Sequence, residues 1–243
     1  MTLPEFFRDH PKAAVGFSGG VDSAYLLAAG LALGADLKPY FVKTPFQPEA
    51  ELEDARRLVP DLTVLELPVL DLPAVCQNPP DRCYHCKDAI FRCLRKQAAL
   101  DGYTVLLDGT NASDDLSDRP GVRALREHGV LSPLLLCGLT KDQIRTEAKK
   151  LGLFLWDKPA YACLATRIPT GTAIDSQLLD RVERAELGLR TLGYRDFRVR
   201  VFHDAARIQL KQEQFPTSSS EYRRLHEAVQ PYFQTVLLDL QER

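Results

Sequence analysis

Ser18-Gly19-Gly20-Val21-Asp22-Ser23 is the stretch of this chain whose residue types most directly specify chemistry. It follows the apolar run Ala13-Ala14-Val15-Gly16-Phe17 and precedes Ala24-Tyr25-Leu26-Leu27-Ala28-Ala29, a strand, loop and helix in succession. The two glycines let the backbone turn tightly and approach an anion closely. The helix that follows presents unpaired amides and a partial positive charge of roughly half an elementary unit. Ser18 and Ser23 add hydroxyl donors, and the whole makes a phosphate cradle. Phe17, Ser18, Gly19, Gly20, Asp22 and Ser23 are therefore candidate contacts for a nucleotide such as ATP. Asp22 cannot bind phosphate directly and is assigned to a Mg²⁺ bridging phosphates. The segment lacks the Gly-Lys-Ser/Thr of a Walker loop, which disfavours transfer of a γ-phosphate. Asp108-Gly109-Thr110-Asn111 closes a later strand and would face the same crevice, adding Gly109, Thr110 and Asn111; the alternative is a plain polar turn.

Six cysteines stand at 76, 83, 86, 93, 137 and 163. Met1 to His10 is not a signal peptide, and no run approaches the roughly 18 apolar residues that span a bilayer. A cytoplasmic protein follows, with reduced thiols or metal ligands rather than disulfides. Asp81-Arg82-Cys83-Tyr84-His85-Cys86-Lys87 sets two thiols three positions apart at a loop-to-helix junction, a spacing that can share one metal ion or cluster. No second such pair exists to complete a four-cysteine zinc site. Cys163 lies in a loop with Arg167, where a lowered thiol pKa would make it a nucleophile. The alternative is a buried structural thiol, the reading kept for Cys76, Cys93 and Cys137, the last of which follows an apolar strand. Arg167 and Arg119 are candidates to orient a substrate phosphate or carboxylate, or are solvated surface charges.

The elements that must position these groups alternate along the first part of the chain. Strands are expected at residues 13–17, 37–42, 63–67 and 104–107. Helices are expected from 24 to near Gly34, at 49–58 behind Pro48, and at 86–100, with loop over 69–82. A capping box at Thr140 and Gln143 opens another helix that stops at Gly152. This order implies an α/β domain, a parallel sheet flanked by helices. After residue 168 the pattern becomes helix (174–192), strand (197–201), strand (208–210), helix (220–233), strand (235–238). That is a smaller C-terminal α+β domain, so residues 1–168 and 169–243 are the expected division. The smaller domain would support the substrate pocket, with Arg198, Arg200, Asp204 and Arg207 as lining candidates, and homo-oligomer formation. The formal net charge of −2 and the absence of any basic run argue against a nucleic-acid partner.

Taken together, the glycine loop resembles the PP-loop of the N-type ATP pyrophosphatases (adenine nucleotide α-hydrolase-like fold), which split ATP into AMP and pyrophosphate. Cys83-Tyr84-His85-Cys86-Lys87, Asp108-Gly109-Thr110-Asn111, Arg119-Pro120-Gly121, Ser132-Pro133-Leu134 and Ala162-Cys163-Leu164-Ala165-Thr166-Arg167 follow it in one order. Across nearly the whole chain this resembles the LarE family of ATP-dependent sulfur transferases. The resemblance implies adenylation of a carboxylate on a pyridinium carboxylate mononucleotide, then conversion to a thiocarboxylate, in making the nickel-pincer nucleotide cofactor of lactate racemase. In one branch the sulfur comes from the protein's own cysteine, whose motif falls on Cys163, and which becomes dehydroalanine. In another a [4Fe-4S] cluster on three cysteines supplies it, and the presence of Cys83 and Cys86 with Cys163 points to that branch. Thr166 stands where serine is common in the family and keeps the hydroxyl. The rival readings are a PP-loop tRNA thiolase, which the acidic charge disfavours, and a non-catalytic nucleotide-binding protein with a structural cysteine metal site.

Overall fold

The computed structural model describes residues 1–115 and 120–241. The chain forms two compact units, one from Met1–Val69 with Asp81–Lys158, the other from Leu70–Pro80 with the chain from Pro159 onward. In order, the elements are α1 (Leu3–Asp9), β1 (Lys12–Gly16), α2 (Val21–Ala32), β2 (Asp36–Lys43), α3 (Glu49–Leu58), β3 (Thr63–Glu66), α4 (Pro73–Cys76), α5 (Arg82–Leu100), β4 (Leu106–Leu107), α6 (Pro120–Glu127), α7 (Pro133–Leu136), α8 (Lys141–Lys150), α9 (Ser176–Thr191), β5 (Arg198–Phe202), β6 (Ala205–Gln209), α10 (Ser219–Val229) and β7 (Thr235–Leu238).

In the first unit the strands pair in the order β3-β2-β1-β4, every pairing parallel. Alternation along the strands buries both faces. Ala13, Val15, Leu37 and Phe41 join the core formed with α1, α2 and α8, whereas Ala14, Tyr40 and Val42 meet Leu94 and Ala98 of α5. This is the expected α/β class, with β1 and β4 adjacent so that the loops after them leave from the same edge.

Several elements differ from expectation. The helix assigned to 86–100 begins at Arg82, so Cys83 lies in its first turn and Cys86 one turn on, just inside the loop-to-helix junction. The apolar run before Cys137 is the short helix α7 and not a strand, with Pro133 at a position where a missing amide costs nothing. β4 is two residues long, and the 69–82 loop contains a 3-10 turn and α4. The Thr140–Gln143 capping box is present as read.

In the second unit β5 and β6 are antiparallel, β6 and β7 parallel, and α9 packs with α10. Asp175 caps α9 through Leu178 N at 2.7 Å. Where the sequence places a boundary at residue 168, the compact units divide after Lys158 and the second also takes in Leu70–Pro80. Hydrogen bonds of long sequence range account for this. The buried Asn78 amide donates to the carbonyls of Pro169 (2.8 Å) and Ile168 (3.4 Å), and Gly171 N and Ile174 N donate to the carbonyls of Asn78 and Cys76. Among the described residues no helix is long and apolar enough to cross a membrane.

Candidate active site

The glycine loop joins β1 to α2 and is braced by its own serines. Ser23 Oγ donates to Gly20 O (3.1 Å), lies 3.2 Å from Ser18 Oγ and accepts from Ser18 N (3.3 Å). Gly20 caps α2 with no side-chain hydrogen bond, so the helix start is not covered by a cap of its own. Gly19 has φ 73°, and a Cβ there would lie 2.8 Å from Glu51 O. Phe17 differs from the rest of the candidate set. Its side chain is core, and its backbone amide is held by Tyr40 O at 2.8 Å.

Asp108-Gly109-Thr110-Asn111 leaves β4 directly beside this loop. A Cβ on Gly109 would stand 2.9 Å from Ser23 N and 3.3 Å from Asp22 Cβ, so the two turns are in close contact. Thr110 Oγ1 donates to Asp108, which also accepts from Ser132 Oγ at 2.6 Å. Asn111 is buried and shapes the turn, its Oδ1 accepting from Ser113 N at 2.8 Å and its backbone N–H donating to Asp114 Oδ2 at 2.9 Å. Arg119 lies outside the described residues.

Asp22 is the electrostatic focus. Burial pushes its carboxyl up from the usual range, against the opposing pull of Lys141. Lys141 Nζ forms an ion pair with Oδ2. Oδ1 is buried without a hydrogen-bond partner among the described residues, and an orphaned carboxylate oxygen beside a phosphate cradle fits a divalent cation. Sequence reasoning missed Lys141. The available signal was electrostatic: a lysine opening α8 stands at the end where the helix dipole favours an acid.

Cys83 is exposed and Cys86 half-buried, one turn apart at the start of α5. Arg82 Nη2 reaches Cys83 Sγ at 3.6 Å. The pair could share one ion, but among the described residues no group of three or more His, Cys, Asp or Glu is gathered for a metal. Cys163 belongs to the second unit.

Cys163 precedes a 3-10 turn, Leu164–Arg167. Arg167 does not have a guanidinium free for substrate, as expected of it, because all three nitrogens are engaged inside the protein. Nε and Nη2 donate to Glu186 at 2.6 and 3.2 Å, and Nη1 donates to Ala162 O (3.0 Å) and Thr166 Oγ1 (2.8 Å), with Cys163 O at 3.5 Å. Glu186 also accepts from Tyr161 OH at 2.5 Å and Val199 N at 3.0 Å. Arg198 and Arg200 donate to Ala160 O (2.8 Å) and Thr166 O (2.6 Å). Burial, then the Arg167 charge, lowers Arg198 to about 10. The Cys163 loop is thus held by three arginines through its carbonyls. Glu186 was not foreseen, although its spacing from Leu179, Val182 and Leu189 puts it on the core stripe of α9. Beside this loop lies a cleft of about 670 Å³, lined in part by Thr166, Arg200, His203, Asp204 and Arg207.

No family model matches the chain. Over 218 residues it is 38% identical to an uncharacterized protein of Synechocystis sp., covering 87% of this chain and 81% of that one. Over 215 residues it is 33% identical to the pyridinium-3,5-bisthiocarboxylic acid mononucleotide synthase of Lactiplantibacillus plantarum, covering 86% and 78%. Over 157 residues it is 29% identical to one component of the glutamine-hydrolyzing GMP synthase of Methanosphaerula palustris, covering 58% and 51%.

Proposed function

The chain belongs to the LarE family, and on that footing we propose that it is a sulfur transferase that spends ATP to turn a carboxylate of a pyridinium mononucleotide into a thiocarboxylate for the nickel-pincer cofactor. The single observation that carries the nucleotide half is the buried Asp22 oxygen, without a hydrogen-bond partner among the described residues, beside a glycine loop against which Gly109 is pressed.

A carboxylate is a poor electrophile because oxide is a poor leaving group. Its oxygen attacks the α-phosphorus of ATP, the bond to pyrophosphate breaks, and an acyl-adenylate forms. Ser18, Gly19, Gly20, Ser23 and the α2 amides take the charge that gathers on pyrophosphate. Asp22 would hold Mg²⁺, which when bound neutralises the phosphates; Lys141 adds a second cation beside it. Gly109, Thr110 and Asn111 form the facing wall. Arg207 in the second unit's cleft is suited to a substrate phosphate or carboxylate, with Arg200 beside it holding Thr166 O. Arg167 holds the Cys163 loop. The Cys163 thiolate attacks the activated carbonyl and AMP leaves. Loss of the Cys163 Cα proton with cleavage of its Cβ–S bond then leaves dehydroalanine in the chain and the thiocarboxylate on the product. For the alternative sulfur source, Cys83, Cys86 and Cys163 are the ligands proposed for a [4Fe-4S] cluster, which would supply sulfide when bound.

The test is an oxygen-free incubation with ATP, Mg²⁺ and a pyridinium dicarboxylate mononucleotide. Equal release of AMP and pyrophosphate with formation of a thiocarboxylate is expected; no pyrophosphate with this substrate refutes the proposal. Iron and acid-labile sulfide decide the sulfur source. About four irons per chain, lost in Cys83→Ala, mark the cluster. Absence of iron after reconstitution, with dehydroalanine at position 163 by mass spectrometry, marks the sacrificial cysteine.

A further inference from the structure

The first turn of α5 has an unusual neighbour. Tyr84, between the two cysteines, sends its side chain to α6 and packs at the edge of the small cluster of Phe91, Ala124 and Leu125. Its ring is faced by the Arg123 guanidinium, 3.6 Å from carbon to ring centroid, and its hydroxyl donates to Glu127 Oε2 at 2.7 Å. Arg123 Nε lies 3.6 Å from Glu127 Oε1, one turn on along α6, which closes a triangle.

The contact continues down one stripe of α5. A Cβ on Gly121 would come within 2.8 Å of Lys87 Cδ, so α6 begins close against the turn that carries Cys86. Asp88 meets His128 at 2.8 Å, and Phe91 packs with Ala124 and Leu125. Positions 84, 88 and 91 share one helix face. The Phe91 contact and the histidine pair also hold α6 against α5. The triangle above them lies toward the surface, where ion pairs add little stability, and through Tyr84 it joins α6 and the Phe91 cluster to the turn bearing the thiols.

We propose that Tyr84, Arg123 and Glu127 form a latch by which α6 fixes the Cys83/Cys86 turn, making Arg123 and Glu127 positioning residues for that dithiol. Two thiols that must meet one metal or cluster need a fixed separation, and a frayed first turn would lose it. The latch rests on the reading of Cys83 and Cys86 as a working pair, but its test needs neither iron nor substrate.

The metal-free protein is treated with iodoacetamide and the rate at each cysteine is read by peptide mass spectrometry, for wild type, Arg123→Ala, Glu127→Ala and Tyr84→Phe. Cys83 is already exposed and should not change. Half-buried Cys86 should react about threefold faster in Arg123→Ala, which loses the cation–π contact, and in Glu127→Ala, which loses the hydrogen bond. Tyr84→Phe, which keeps the stacked ring, should fall between. Cys93 and Cys137, half-buried elsewhere in the same unit, report general loosening and should stay at the wild-type rate. An unchanged Cys86 overturns the latch, and so does acceleration of Cys86, Cys93 and Cys137 together, because that is destabilisation and not positioning. In protein reconstituted with iron and sulfide, the same variants should release iron to a chelator faster. A wild type that takes up no iron counts against the cluster and leaves the alkylation result standing.

Discussion

Replacing Glu186 by glutamine changes the second unit by a single charge. The side chain keeps its size and position, yet Arg167 cannot deprotonate to compensate. Both partners are buried, with side-chain exposures of 0% for Arg167 and 2% for Glu186. Arg198 is already lowered to about 10 by burial and by Arg167, so removing the buried carboxylate that pairs with Arg167 leaves like charges facing each other out of water. Breaking a buried pair by removing one partner costs about 3–5 kcal/mol, a large part of a typical stability of about 5–15 kcal/mol. Urea titration followed by circular dichroism should show the unfolding free energy fall by that amount, through a lower midpoint at an unchanged slope. Hydrogen exchange adds a local reading, since Val199 N donates to Glu186 at 3.0 Å and should exchange faster in the variant. The pair Glu186→Met with Arg167→Met removes both charges and should recover most of the loss. A cost below about 1 kcal/mol for Glu186→Gln, the level of one ordinary hydrogen bond, would refute the account of Glu186 as the counter-charge of the Cys163 loop. So would a double variant no more stable than the single.

Three further outcomes are expected. Gly109→Ala puts a Cβ 2.9 Å from Ser23 N and should weaken ATP binding by calorimetry about tenfold or more while the melting temperature falls only slightly, a loss of about 1.4 kcal/mol at the turn. Asp22→Asn should abolish pyrophosphate release without lowering the melting temperature. The Asp22 carboxyl is raised by burial, so its contribution is most favourable below its unfolded value and declines as pH rises through the folded one; removing the charge removes that decline. Asp101 behaves in the opposite sense. Hydrogen bonds from Lys38 and Tyr40 hold it at about 2 against an ordinary 3.8, so it supports the fold above the ordinary value and that support is lost as pH falls toward the lower one. Asp101→Asn should be less stable than wild type at neutral pH, and its acid melting curve should be flatter across that interval.

What was legible in the sequence had local causes. Pro48 before an acidic start, the Thr140–Gln143 box and the alternating apolar runs each act within a few residues, and the corresponding helices and strands stand where they were read. The glycine loop was legible for the same reason, since a turn that needs φ 73° and a bare helix start is written in six consecutive residues. The errors came where a local signal has two meanings. Leu134-Leu135-Leu136 is an apolar run that fits a strand or a helix, and Pro133 decided for the helix only once its place was known. Pro79-Pro80 marked a loop, but a proline also stands readily just before a helix, and α5 begins at Arg82.

The candidate site's electrostatics belong to a different range. Lys141 meets Asp22 across 119 positions, and Glu186 gathers donors from Tyr161, Arg167 and Val199, which lie 25, 19 and 13 positions away. No window of sequence contains such a pair. An arginine beside a cysteine reads identically whether its fork holds a substrate or the cysteine's own loop, because both present oxygen acceptors to the same donors. Burial separates the two. A guanidinium with every nitrogen spent on Glu186, Ala162 O and Thr166 can receive a substrate only by giving up a buried ion pair, at a cost of about 3–5 kcal/mol. Arg207, 38% exposed in its ion pair with Asp239 at 3.6 Å and lining the cleft, gives up far less in turning to an anion. Of the arginines lining the cleft, Arg167 therefore belongs to the geometry of the Cys163 loop, and Arg207 is the one whose turn toward an anion disturbs least.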